Sequence, residues 1–143
     1  MKWLKSLRFF IVTFFNEVFD NDSTHDAALT SIQTSDQGFM IGAHSSILVG
    51  DMIFLKVNNN GLKNWDKNYD FKSGYVDDPT DILQLNSGSF VIVGVTQDSS
   101  GFKPDIMLLK LNQTGDSLWL RRFNGGDIEY GDAVIQTPDG GFL

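Results

Sequence analysis

Short apolar segments separated by polar turns run along most of the chain, and their lengths predict strands. Four strands form one unit, in which the first ends at a Gln and the second follows a Gly-containing turn. The predicted second and third strands are 39–45 and 52–57, then 90–96 and 106–111, and the fourth carries Trp65 and Tyr69, or Trp119 and Phe123.

The middle strands are apolar at consecutive positions, as in Phe90-Val91-Ile92-Val93 and Ile106-Met107-Leu108-Leu109. An antiparallel strand with one face in water alternates apolar and polar residues, so these runs indicate that both faces are covered. Stacked four-stranded blades cover both faces, as in a β-propeller. A β-sandwich also uses four-stranded units, but it does not explain consecutive apolar residues in both middle strands.

The unit repeats. The segments 32–39, 83–90 and 135–142 share a Gln and a Phe that recur at 51 and then 52 residues. A second set recurs at 54 residues: Asp51, Lys56, Asn58, Gly61, Trp65 and Tyr69 match Asp105, Lys110, Asn112, Gly115, Trp119 and Phe123. The fold class is therefore predicted to be all-β, a β-propeller fragment with antiparallel four-stranded blades of about 51–54 residues, with a β-sandwich as the alternative.

The repeat divides the chain. Residues 26–76 and 77–128 are predicted blades, and 129–143 is the truncated start of a third, so we expect further blades to be missing from this fragment. Residues 1–25 have two interpretations. Lys2, Lys5 and Arg8 before an apolar stretch resemble a signal peptide, whereas the spacing of Phe15 and Phe19 fits the last strand of a preceding blade.

The repeat resembles those of bacterial secreted and cell-surface β-propeller proteins. The segments Ile135–Phe142 and Leu108–Asn112, with Gly115 and Trp119, carry the resemblance, and the first copy departs from it at Gln37 and Ala43. Residues 112–119 are also similar to the tryptophan-docking motif of quinoprotein propellers. The resemblance implies that Trp65 and Trp119 pack between blades, and that the protein is secreted or at the cell surface.

Composition and charge exclude several kinds of function. The 143 residues carry a net charge of −7, which argues against binding to nucleic acid. There is no cysteine, which excludes disulfides and thiolate chemistry, and the two histidines, His25 and His44, are interpreted as surface or packing residues. The N-terminal apolar stretch is too short to span a membrane.

Acidic residues concentrate in the predicted linkers between units, at 20–26, 77–81 and 127–132. A propeller would gather these linkers around one mouth of its channel, where carboxylates could hold Ca²⁺ or a basic ligand. Solvated turns are the alternative interpretation. The candidate metal ligands are Asp22, Asp26, Asp77, Asp78, Asp81, Asp127, Glu129 and Asp132.

No catalytic or cofactor-binding motif is recognisable, so no residue is assigned to either role. We therefore expect a non-enzymatic repeat scaffold that binds a protein or a carbohydrate through the loop face of a propeller. The alternative is a propeller hydrolase or lyase that uses the acidic linkers.

Overall fold

The computed structural model describes residues 26–45, 50–71, 77–97 and 103–143. They form two antiparallel sheets, each with its four strands in chain order. The strands are β1 (Asp26–Gln33), β2 (Phe39–Ser45), β3 (Asp51–Val57), β4 (Lys63–Tyr69), β5 (Asp77–Gln84), β6 (Phe90–Gln97), β7 (Pro104–Leu111) and β8 (Ser117–Phe123). The predictions of an all-β fold and of a four-stranded unit are confirmed. None of the described residues belongs to a helix that could cross a membrane.

Matching turns close the hairpins of the two sheets. Asn58 Oδ1 accepts hydrogen bonds from the backbone amides of Asn60 and Leu62 at 2.9 and 3.0 Å, and Asn112 does the same in the second sheet. Each of these turns needs positive φ, which Gly61 and Gly115 supply at 80° and 81°.

The turn of the first copy has Gln37 where the other two copies have Gly, but its conformation is the same. Gln37 adopts a φ of 66°, where Gly88 and Gly140 adopt 80° and 86°. The Thr34 amide then donates to the Gly38 carbonyl, as the Leu85 amide donates to that of Ser89.

The two sheets share one apolar core. Met40, Met52 and Phe54 of the first sheet pack in the same cluster as residues of the second, among them Phe90, Ile92 and Leu109. The Gln that recurs in the repeat adds a hydrogen bond between the two units: Gln84 Oε1 accepts from the Ser35 amide at 2.7 Å.

The second sheet is covered on both faces. The face turned away from the first sheet carries Val91 and Val93, which pack with Val134 of the segment after β8. Phe142 of the same segment approaches Trp119, with the two ring centroids 6.2 Å apart. The prediction that β6 is covered on both sides is confirmed for the described residues, with all but the last residue of the strand buried.

One local prediction was wrong. The predicted linker 77–81 is the first half of β5, which tolerates Pro79 because β5 is an edge strand with a bulge between Pro79 and Asp81. In the third copy, the predicted pairing of the segments around Gln136 and Phe142 is present as one antiparallel bridge between these two residues.

Candidate functional site

The strand ends opposite the tight turns form one end of the molecule, which we call the long-connection end. It contains the first residues of β1, β3, β5 and β7 and the last residues of β2, β4, β6 and β8. Acidic side chains predominate among the described residues here: Asp26, Asp51, Asp70, Asp77, Asp78, Asp105, Asp127 and Glu129, beside His44, Lys103 and Arg122.

Three neighbouring strands of the second sheet place Asp77, Thr96 and Asp105 in one row. Thr96 is the register partner of both carboxylates, so all three side chains lie on the same face. Their exposed fractions are 0%, 1% and 6%. One oxygen of each (Asp77 Oδ1, Thr96 Oγ1 and Asp105 Oδ1) has no hydrogen-bond partner within the described ranges.

Burial raises the pKa of Asp77, and the adjacent Thr96 hydroxyl opposes this shift. The second Asp77 oxygen accepts a hydrogen bond from the Phe71 amide at 3.3 Å. The Asp77 amide donates to the Gly50 carbonyl at 2.8 Å, so this residue connects the two sheets.

The first sheet repeats the row with Asp26, Ser45 and Asp51 in the same register. Asp26 is exposed, unlike its counterpart Asp77. Burial and the nearby Asp70 carboxylate raise the pKa of Asp51. The recurrence of Asp51 and Asp105 was visible in the sequence, but their contribution to a row required the strand register.

Two predicted ligands connect successive units instead of facing a common centre. Asp78 Oδ1 lies 2.7 Å from His44 Nδ1 of the first sheet. Asp81 Oδ2 accepts a hydrogen bond from the Val134 amide at 2.9 Å. Sequence reasoning missed the pairing of His44 with Asp78, because nothing in either local pattern relates them.

The remaining candidates lie apart. Asp127 Oδ1 is 3.8 Å from Lys103 Nζ, and Asp132 is exposed. Glu129 Oε1 accepts a hydrogen bond from the Asp127 amide at 3.2 Å. Asp22 and His25 lie outside the described residues. Across the described ranges, no group of three or more Asp, Glu or His side chains is placed to hold a metal ion, and the Ca²⁺ site stays a prediction.

Trp65 packs against the second sheet, as expected. Its indole N–H donates to the Gln113 carbonyl at 3.0 Å, and its ring lies so close to Gly115 that a Cβ there would be 2.8 Å from the ring. The Tyr69 hydroxyl donates to the Gly115 carbonyl. The fourth strand of one unit therefore docks onto a tight turn of the next.

The fold and these contacts define the class: an all-β protein built from repeated four-stranded antiparallel sheets that pack on one another. No protein-family model matches the chain, and no curated protein matches it significantly.

Proposed function

We propose that the chain is a non-enzymatic scaffold of propeller blades that binds a positively charged protein partner through its long-connection end. The observation that carries the binding proposal is the excess of acidic side chains at that end. Surfaces of opposite charge steer partners together and suppress wrong ones. A protein rich in Lys and Arg has the complementary charge.

The recurrence of contacts between successive units supports a propeller over a sandwich. The Asp77 amide donates to the Gly50 carbonyl at 2.8 Å, and the Glu129 amide donates to that of Pro104 at 3.0 Å. These four residues occupy equivalent repeat positions. A two-sheet sandwich buries one face of each sheet, whereas the second sheet here has apolar clusters on both faces.

Binding of labelled octalysine and octaglutamate peptides, measured by fluorescence anisotropy at several salt concentrations, tests this function. Of the two peptides, we expect only octalysine to bind, with an affinity that falls as the salt concentration rises. The double variant Asp70→Asn/Asp127→Asn removes two exposed charges from the long-connection end and should weaken binding several-fold.

The matched control is Asp66→Asn/Asp139→Asn, which removes the same charge elsewhere and should leave binding unchanged. An equal loss in both double variants, or no octalysine binding at low salt, would refute the proposed site. Salt-independent binding of neutral oligosaccharides would favour a carbohydrate ligand instead.

A further inference from the structure

The sequence contains two Asn-Gly pairs, Asn60-Gly61 and Asn124-Gly125. In such a pair the backbone nitrogen of the glycine can attack the side-chain amide of the asparagine, because glycine has no Cβ to obstruct the approach. The structure places the two pairs in different settings, and this difference determines which asparagine reacts.

The first pair lies in the tight turn between β3 and β4. The Gly61 amide donates to the Asn58 carbonyl at 3.0 Å, and Gly61 is buried. The amides of Asn60 and Leu62 both donate to Asn58 Oδ1. The nitrogen that would attack is therefore held in a hydrogen bond, and the turn must open before the chain can rearrange.

The second pair follows the last residue of β8, at the long-connection end. Asn124, Gly125 and Gly126 are exposed, and within the described part of the chain the Gly125 amide donates no hydrogen bond. The Gly126 amide donates to Asn124 Oδ1 at 2.8 Å. The ring closed by this hydrogen bond contains both the Asn124 Cγ and the Gly125 nitrogen, so the side chain is bent back towards the atom that would attack it.

The same hydrogen bond assists the chemistry. As the Gly125 nitrogen adds to the Asn124 Cγ, negative charge develops on Oδ1, the oxygen to which the Gly126 amide donates. A donor aimed at a developing oxyanion stabilises the transition state. Gly126 has a φ of 92°, a conformation that favours glycine, so this arrangement depends on the residue type.

We propose that Asn124 deamidates spontaneously in the folded protein. The Gly125 nitrogen loses its proton to water or hydroxide and bonds to the Asn124 Cγ, and the side-chain nitrogen leaves as ammonia. Water then opens the resulting succinimide ring to give aspartate or isoaspartate. The chain and the solvent supply every reactant, so the reaction needs no cofactor and no partner.

The product adds a carboxylate to the long-connection end. Asp127 is three residues further along the chain, and Glu129 Oε1 lies so close to Gly125 that a Cβ there would be 2.5 Å from it. A more acidic end should bind a basic partner more tightly, and this consequence rests on the proposed function. The reaction does not, because it involves only residues 124–126 and water.

Incubation of the 143-residue chain at mildly alkaline pH, followed by proteolysis at acidic pH and mass spectrometry of the peptides, measures both conversions. Parallel samples in buffer and in concentrated urea compare the folded and the unfolded chain. Asn60 should convert about tenfold more slowly in buffer than in urea, because more than one hydrogen bond must open. Asn124 should convert at least as fast in buffer as in urea. Equal rates at the two sites in buffer, or conversion of Asn124 that folding slows, would overturn the proposal.

Gly126→Ala separates assistance by the Gly126 amide from exposure alone. A Cβ at this position meets nothing within 4 Å, so the substitution acts through the backbone conformation. It should slow the conversion of Asn124 in buffer and leave the rate in urea unchanged. An unchanged rate in buffer would refute the assistance.

Octalysine binding tests the consequence for the long-connection end. Asn124→Asp has the product's charge, and Asn124→Gln forms the corresponding ring far more slowly. At low salt Asn124→Asp should bind octalysine about twofold more tightly than Asn124→Gln. Asn60→Asp, in a turn at the opposite end, is the matched control and should bind like the parent.

The outcomes distinguish the two proposals. Conversion of Asn124 together with equal octalysine binding by Asn124→Asp and Asn124→Gln would refute the added charge as part of the binding site. Absence of octalysine binding to the parent would refute the proposed function, whereas the rates in buffer and urea decide the reaction on their own.

Discussion

Two buried charged residues differ in how their charges are satisfied. The Lys56 ammonium lies 2.9 and 3.1 Å from the two Asp36 oxygens and 2.9 Å from the Val57 carbonyl. This lysine is the main reason that the pKa of Asp36 falls to about 2. Asp77 is as buried as Lys56, but its Oδ1 has no hydrogen-bond partner among the described residues, and burial raises its pKa. The ionised form is therefore favoured at Asp36 and disfavoured at Asp77.

Asp77→Asn should stabilise the protein at pH 7, because it removes a buried charge and retains an oxygen that can accept from the Phe71 amide. An ionised carboxylate costs more to bury than a neutral amide, and we expect a gain of about 1–3 kcal/mol in the free energy of unfolding. Urea denaturation at pH 7 measures it.

The pH dependence of this gain has a definite sign. The folded protein holds the Asp77 proton more tightly than the unfolded chain, whose carboxyl has a pKa near 3.8. Protonation therefore stabilises the parent below pH 3.8, and this contribution is lost as the pH rises through the raised pKa. The advantage of Asp77→Asn should shrink towards pH 3.8. Asp26→Asn, at the equivalent exposed position, should have a smaller effect, and an equal gain there would contradict burial as the cause.

At the scale of elements, the unit depends on the docking of its fourth strand onto the turn of the following sheet. Trp65 and Tyr69 both hydrogen-bond to the turn between β7 and β8, and Trp65 also packs in the shared core. Trp119 occupies the equivalent position in β8, and in the described residues its aromatic neighbour is Phe142.

Trp65→Ala should therefore destabilise the protein by about 3 kcal/mol, since it removes both the ring packing and the indole hydrogen bond. Trp119→Ala should cost less, about 1 kcal/mol. Trp65→Phe keeps a ring and should also lose only about 1 kcal/mol. Thermal unfolding followed by circular dichroism compares the three variants, and a larger loss at Trp119 than at Trp65 would refute this docking scheme.

Strand pattern and turn chemistry were sufficient to predict most of these elements. The Asn-to-Gly turns and the apolar runs of β6 and β7 follow local rules. The sequence did not predict a strand at 77–81, because residues such as Asp and Pro have low strand propensity. Its pairing with the apolar β6 makes it a strand.

For the whole molecule, the shared core implies that the two sheets unfold together. Phe54 of the first sheet is fully buried in the same cluster as Ile92 and Leu109 of the second. Neighbouring units in repeat proteins stabilise one another through such interfaces. Loss of one sheet would therefore expose the apolar face of the other.

Phe54→Ala should destabilise both sheets by about 3–5 kcal/mol in a single transition. Amide hydrogen exchange resolves the sheets, and protection should fall in β6 as well as in β3. Leu118→Ala, at an exposed position, should change stability by less than about 0.5 kcal/mol. Protection in β6 that is unchanged by Phe54→Ala would show that the sheets are independent.

The sequence by itself determined the four-stranded unit, its turns and the burial of β6, because these depend on the spacing of apolar and turn residues along a short stretch of chain. Only the tertiary structure decided which acidic residues are buried and which connect the units. His44 and Asp78 are 34 positions apart, and Asp81 and Val134 are 53 apart. Such pairs form only when one unit packs on the next, and no local pattern encodes which side chains then meet.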